Sequence, residues 1–458
     1  MTGSHSPLCA SGSALLVDLY ELTMMQAYHR WGMDGTATFD LFVRRLPRLR
    51  NFLLAAGAGT VLELLEGLRF TGDDLAYLES TGLFDRPFLD SLGAFRFTGD
   101  VDAVPEGTVV FPPEPILRIT APLPQAQLVE TLVMNRIHVQ TMLASKAARV
   151  VLAARGRRVV DFGLRRMHGA DAGLAGARAY WIAGIAATSN VLAGKEFGIP
   201  VTGTMAHSFI QAHDDELEAM RRFAEVYPET VLLVDTYDTM EGIERVIALA
   251  RELGPRCRLK GIRLDSGDLA GLAMAARERL DDAGLHDLRI FASGNLDEYR
   301  ITELLADNAP IDAFGVGTRM GTSADAPSLD LAYKLAELDG RGRLKLTANK
   351  DTWPGRKQVW REFSADGTMA GDTIGVEGEG GIEGEPLLVP VMRGGRRLDA
   401  AREPLDAARE RARAGIEALP ATLRGLEPAD PPYPVRVSRG LREARRAVIE
   451  HLRRARTA

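Results

Sequence analysis

Between Asp161 and Thr318 the chain gathers polar residues into seven short clusters. They are Asp161 with Arg165 and Arg166; Thr188-Ser189-Asn190; Thr204 and His207; Asp235 and Asp238; Arg263, Asp265 and Asp268; Ser293-Gly294-Asn295; and Gly315-Val316-Gly317-Thr318. Together these residue types suit an anionic, phosphorylated sugar. The guanidinium groups of Arg165 and Arg263 can fork onto phosphate or carboxylate oxygens. Glycine turns that open helices offer backbone N–H groups and a positive dipole end to phosphate. The acids of Arg263-Leu264-Asp265-Ser266-Gly267-Asp268 can hold ribose hydroxyls or Mg²⁺. Each residue alone has a plainer reading: His207 as a hydrogen-bonded structural histidine, Asp265 and Asp268 as helix N-caps, Gly294 and Gly317 as turns needing positive φ, Tyr20 as core. Packing does not explain why polar groups recur at seven successive strand ends.

The elements that must position them are short apolar runs, each followed by a helical stretch. Strands are expected from Val159, Gly184, Val201, Val231, Leu259, Leu288 and Ala313. The last five starts are roughly 25 to 30 residues apart, the length of a βα unit, which implies a parallel sheet. Seven units predict an incomplete or irregular (β/α) barrel, with chemistry at the C-terminal ends of its strands. A doubly wound dinucleotide-binding sheet is the rival, but no G-x-G-x-x-G follows an early strand.

On either side the pattern changes. A helix is expected from Asp18 to about Trp31 and a strand from Thr38 to Val43. Proline-punctuated runs between Asp100 and Thr120, with Pro105, Gly107 and Pro112-Pro113-Glu114-Pro115, suit edge strands of a small sheet. An unbroken helix from Gln125 to Arg155 then bridges to the repeat. After about Leu338 the repeat stops. A Gly/Glu-rich loop from Gly371 to Glu385 precedes one strand, Pro386 to Met392, and an Arg-rich helical tail is interrupted at Pro428 to Pro434.

Length and composition set the outer limits. The 458 residues, 46% AVILMFWYC and 26% DEKR, are enough for two or three domains and exclude a disordered or fibrous chain. With 56 Lys+Arg against 62 Asp+Glu, net −6, the chain is not built to coat nucleic acid or anionic membrane, and the basic tail lacks the interleaved aromatics that nucleic-acid binding would need. Only Cys9 and Cys257 are present, too few for a disulfide framework or a Cys-based zinc site. No apolar run approaches the ~18 residues of a membrane span and no signal segment is evident, so a cytoplasmic protein is expected.

The chain resembles the nicotinate phosphoribosyltransferase family. The motifs that carry the resemblance run in the family's order: VDLYELTM (Val17 to Met24), FPPEPILRITAPLPQAQLVET (Phe111 to Thr131), DFGLRR (Asp161 to Arg166), TSNVLAGKEFGIPVTGTMAHS (Thr188 to Ser208), VDTYDT (Val234 to Thr239), GIRLDSGDL (Gly261 to Leu269), FGVGT (Phe314 to Thr318) and PGRKQVWR (Pro354 to Arg361). The resemblance implies transfer of phosphoribosyl from 5-phosphoribosyl-1-pyrophosphate (PRPP) to nicotinate, giving nicotinate mononucleotide and pyrophosphate, with Mg²⁺ and coupled ATP hydrolysis. It implies an irregular (β/α) barrel over 131–340, an α/β-sandwich domain over 1–130, and a C-terminal segment over 341–458 packing on that domain. It also implies a homodimer with the active site at the subunit interface.

Carried over residue by residue, the resemblance makes Phe162 and Tyr20 the aromatic pair around the pyridine ring, Tyr20 coming from the neighbouring subunit. Arg263 and Thr204 become nicotinate contacts, Asp265 holds the ribose hydroxyls, and Arg165, Gly294, Gly315, Gly317 and Thr318 contact phosphate. His207 is the histidine that takes a phosphoryl group from ATP, and Asp235 the acid that orients it. Nicotinamide phosphoribosyltransferase is the nearest alternative. That relative carries an aspartate where Ser189 aligns here, and a carboxylate there would repel nicotinate while a hydroxyl donates to it. A catalytically inactive ligand-binding homologue is the alternative from another class, but His207 and Asp265 are both present. Quinolinate phosphoribosyltransferases are much shorter chains that lack this histidine. Two departures stand out: Ala187 where glycine is expected, and Met167-His168 where Ala-Gln is common.

Overall fold

The computed structural model describes residues 14–346 and 352–457, so Cys9 lies outside the described residues. The chain divides into two compact units, one of Met1–Ser145 with Asp325–Ala458, the other of Lys146–Ala324.

The second unit carries the repeat. Its strands are β1 (Arg158–Asp161), β2 (Ala187–Thr188), β3 (Val231–Leu233), β4 (Gly261–Leu264), β5 (Arg289–Ala292) and β6 (Ala313–Val316). They form one sheet in the order β2-β1-β6-β5-β4-β3, parallel at every pairing. This is the irregular barrel expected from the repeat, and the sheet is open, with β2 and β3 at its edges. The seventh expected strand, at Val201, is reduced to a single parallel bridge with Thr188. Alternation along the strands sets the site. Ile262 and Leu264 are fully buried, while Arg263 between them is only partly buried and points to the opposite face. Helices after the strands start on side-chain caps: Asn190 accepts from the Ala193 N–H, Asp238 from Glu241, and Asp297 from Tyr299 and Arg300. Asp268 occupies an N-cap position but makes no capping bond.

The first unit interleaves the two ends of the chain. Its seven-stranded antiparallel sheet runs Arg341–Gly342, Leu331–Leu338, Thr36–Val43, Pro115–Pro122, Asp100–Ala103, Val389–Arg393, Arg396–Arg397. The proline-rich runs are therefore central, not the edges of a small sheet. Pro115 and Pro122 are tolerated because they are the first and last residues of their strand. A four-stranded sheet, ordered Glu385–Pro386, Lys357–Phe363, Met369–Val376, Val435–Val437, lies wholly in the C-terminal segment. Gly371 to Val376 is thus strand and not loop, and the single strand expected from Pro386 to Met392 is divided between Glu385–Pro386 in this sheet and Val389–Arg393 in the seven-stranded one. The bridging helix is interrupted at Val129, which separates Leu123–Leu128 from Glu130–Ala153.

Candidate active site

At the C-terminal ends of the strands in the second unit lies a cavity of about 430 Å³. Twelve of the residues expected from sequence belong to this unit, and eleven of them line the cavity: Phe162, Arg165, Ser189, Thr204, His207, Arg263, Asp265, Gly294, Gly315, Gly317 and Thr318; Asp235 does not. The site is therefore built from five strand ends, those of β1, β2, β4, β5 and β6, and the loop before His207.

Arg263 organises the floor. Its Nε donates to Ser293 Oγ (2.9 Å), Nη1 to Thr204 Oγ1 (2.8 Å) and Nη2 to Asp265 Oδ1 (2.9 Å). Its guanidinium carbon lies 5.6 Å from the centroid of the Phe162 ring, so a cation and an aromatic face share one wall. Ser293 Oγ also donates to Asp265 Oδ1. Burial works against the Asp265 carboxylate, but Ser293 and Arg263 outweigh it and hold its pKa below the ordinary value. Asp265 is therefore ionised at neutral pH, with Oδ1 engaged twice.

Asp161 and Ser189 show how strand ends are tied together. Asp161 Oδ2 accepts from Thr188 Oγ1 (2.7 Å) and Oδ1 from the Gly163 N–H (2.8 Å), while the Ser189 N–H donates to the Asp161 carbonyl (2.9 Å). Burial pushes the Asp161 carboxyl up in spite of those bonds. Asp161 thus locks β1 to β2 and holds Ser189 at the cavity wall.

The glycines divide by role. Gly294 has φ +90°, and a Cβ there would stand 1.8 Å from the Asp265 carbonyl oxygen, so only glycine lets the β5 turn approach the β4 turn. Gly315 makes room for a ring: a Cβ would sit 2.6 Å from a Phe162 ring carbon. After Gly317 the expected helix is a single turn, Thr318–Gly321, which leaves little dipole at that end. Arg165 is exposed at the wall, on the short helical turn Leu164–Arg166, and Arg166 Nη1 donates to Thr318 Oγ1 (3.2 Å).

His207 opens the short helix His207–Gln211. Its Nδ1 is 3.1 Å from Thr236 Oγ1, and its Nε2 is 3.9 Å from Asp265 Oδ2. No hydrogen bond joins it to Asp235. That buried carboxylate turns the other way: Oδ2 accepts from the Asp265 N–H and from Ser266 Oγ, both at 2.8 Å. Asp235 therefore braces the turn that carries Asp265. Tyr20 belongs to the first unit, 43% exposed on the helix Leu19–Arg30, and is not among the residues lining this cavity. Ser293 and Thr236 are the residues that sequence reasoning did not single out. Ser293 stood in one of the strand-end clusters and Thr236 inside VDTYDT, but only geometry separates them from their neighbours. Ala187 is a buried strand residue, and Met167 packs beside Gly321, while His168 is exposed.

Among the described residues, no group of three or more His, Cys, Asp or Glu side chains is arranged to hold a metal ion, and no helix is long and apolar enough to cross a membrane.

Comparison with known proteins now bears on this site. The family model described as the nicotinate phosphoribosyltransferase N-terminal domain matches residues 15–138, and that of the nicotinate phosphoribosyltransferase family matches residues 157–351. The chain is 55% identical over 425 residues to nicotinate phosphoribosyltransferase pncB2 of Mycobacterium tuberculosis, covering 93% of this chain and 91% of that protein. It is 44% identical over 356 residues to nicotinate phosphoribosyltransferase of Bacillus subtilis, covering 76% and 73%. Among solved structures, human nicotinic acid phosphoribosyltransferase superposes with a TM-score of 0.84 at 28% identity, covering 93% of this chain and 98% of that one.

Proposed function

The chain belongs to the nicotinate phosphoribosyltransferase family, and on that premise we propose that it transfers phosphoribosyl from PRPP to nicotinate, releasing pyrophosphate, with ATP hydrolysis coupled to the step. The observation that carries this reading is the wall where Arg263 and Phe162 meet, with Thr204 and Ser189 beside it. A flat anionic ring finds there an aromatic face, a guanidinium for its carboxylate and a hydroxyl donor where a carboxylate would repel it.

The proposed sequence begins with ATP phosphorylating His207, which improves binding of PRPP. Asp265, ionised and rigidly held, takes the ribose hydroxyls. The nicotinate nitrogen then attacks C1 as the C1–O bond to pyrophosphate breaks through an oxocarbenium-like state. Arg165 and the backbone N–H groups around Gly294 and Gly317 stabilise the departing anion. Loss of phosphate from His207 resets the site.

The residues present fit Mg²⁺. This ion keeps most of its waters and binds through one or two carboxylates plus substrate phosphates. The Asp265 oxygen not engaged by Arg263 and Ser293 suits that arrangement without a larger protein cluster. When bound, the ion would supply positive charge beside the leaving pyrophosphate. The wall that faces solvent is assigned to a second copy of the chain, whose Tyr20 would complete the aromatic sandwich in a homodimer.

The role of His207 is tested by comparing His207→Ala with the parent chain in PRPP and nicotinate, with and without ATP. The ATP-dependent increment is expected to vanish while the ATP-free rate falls less. Equal loss of both would refute it.

A further inference from the structure

Among the described residues His207 has one hydrogen-bond partner, and it is not a carboxylate. Thr236 Oγ1 lies 3.1 Å from Nδ1, within hydrogen-bonding distance, whereas Asp265 Oδ2 at 3.9 Å from Nε2 is beyond it. Thr236 does not line the cavity, while Asp265 does. The ring therefore turns Nδ1 away from the cavity and Nε2 toward it. Asp235, the neighbour of Thr236, is committed to the Asp265 N–H and Ser266 Oγ and has no bond to the ring.

We propose that Thr236 is the positioning residue of His207: its hydroxyl, which can donate or accept, is assigned as the acceptor of an Nδ1–H bond, so that the ring proton sits on Nδ1 and the bare Nε2 lone pair faces the cavity. The tautomer of an imidazole is set by the hydrogen bond its other nitrogen makes. Only an unprotonated nitrogen can act as a nucleophile. This rests on the proposed phosphoryl transfer to His207 for its purpose, though not for its geometry. In that transfer the Nε2 lone pair forms the N–P bond to the γ-phosphorus. The bond from that phosphorus to the β,γ-bridging oxygen breaks, and its electron pair leaves with ADP. The ring proton stays on Nδ1, directed at Thr236, and water later takes the phosphoryl group. A hydroxyl suits this position better than a carboxylate would, because it orients the ring without adding a second negative charge behind an incoming polyphosphate.

The test is the ¹⁵N spectrum of histidine-labelled protein above the pKa of the ring, with His207 assigned by its loss in His207→Ala. The proposal expects the Nδ1–H tautomer to dominate in the parent chain and in Thr236→Ser. It expects a shift toward Nε2–H in Thr236→Val, which keeps the shape and loses the acceptor. In parallel, the ATP-stimulated rate should fall about tenfold in Thr236→Val, the worth of one hydrogen bond, more than the ATP-free rate, and recover in Thr236→Ser. Dominance of Nε2–H in the parent chain, or an unchanged tautomer in Thr236→Val, would overturn the proposal. Because the spectrum needs no ATP, a protein without ATP coupling would refute the role of His207 and leave the assignment of Thr236 to be judged by the tautomer alone.

Discussion

Ser189 is one hydroxyl at the wall of a cavity whose floor is a guanidinium, and in the proposed function the choice of ring substituent turns on it. Its backbone is tied to Asp161, so a longer acid at this position would be carried on the same fixed strand end. Ser189→Asp is expected to raise KM for nicotinate about tenfold or more, since a like charge in a partly dry site costs at least about 1.4 kcal/mol. Steady-state kinetics with nicotinate varied would show it, and an unchanged KM would refute the assignment. At this scale the sequence was informative about residue types. Arg263, Thr204, Asp265, Phe162 and Ser189 do converge on one cavity. It was not informative about partners. VDTYDT contains an acid and a hydroxyl side by side, and which of them meets His207 depends on the turn of a strand end, which no spacing rule fixes.

Elements hold these groups by close approach. The helix Thr239–Leu253 packs on the end of β3 through Gly242, where a Cβ would stand 2.1 Å from the Val234 carbonyl oxygen. Gly242→Ala must push helix and strand apart, and should lower stability by about 1–3 kcal/mol in urea unfolding. Asp235 and Thr236 ride on that strand end, so ATP stimulation should suffer with it. Gly315→Ala acts within the sheet: its Cβ would press the Phe162 ring toward the cavity, and KM for nicotinate should rise more than KM for PRPP. Equal changes in both would mean that Phe162 does not face the pyridine ring. The repeat of strand and helix was legible because parallel strands buried on both faces read as short apolar runs. Val201 was over-read: an apolar start there supports only one bridge to Thr188. The strands before Thr120 and after Leu338 were under-read, because prolines at strand ends and glycines within Met369–Val376 imitate loop sequence.

Across the whole molecule, strands from the N-terminal part of the chain and strands after Leu331 share one sheet in the first unit, an arrangement that periodicity does not reveal and that the family resemblance alone supplied. In that unit Glu21 on the first helix is completely buried, with Oε1 accepting from the Thr131 N–H and Oγ1. Burial pushes its carboxyl from 4.5 up to about 7, and the Thr131 bonds only partly oppose this. A carboxyl raised in the folded state favours folding below the unfolded pKa, and that contribution is lost as pH rises through the folded one. Glu21→Gln keeps the shape and removes the titration. Its stability relative to the parent chain should therefore climb between pH 4.5 and 7, by about 3 kcal/mol. A flat difference across that range would show that Glu21 is ionised throughout.

In the proposed function this cavity joins nicotinate to a phosphoribosyl group under the control of ATP. Purified protein with PRPP and Mg²⁺, offered nicotinate or nicotinamide, each with and without ATP, and read for mononucleotide by mass spectrometry, tests it most directly. The account predicts nicotinate mononucleotide, formed faster with ATP, and little or no product from nicotinamide. Product from nicotinamide alone would contradict the reading of Ser189, and no product from either would contradict the enzyme.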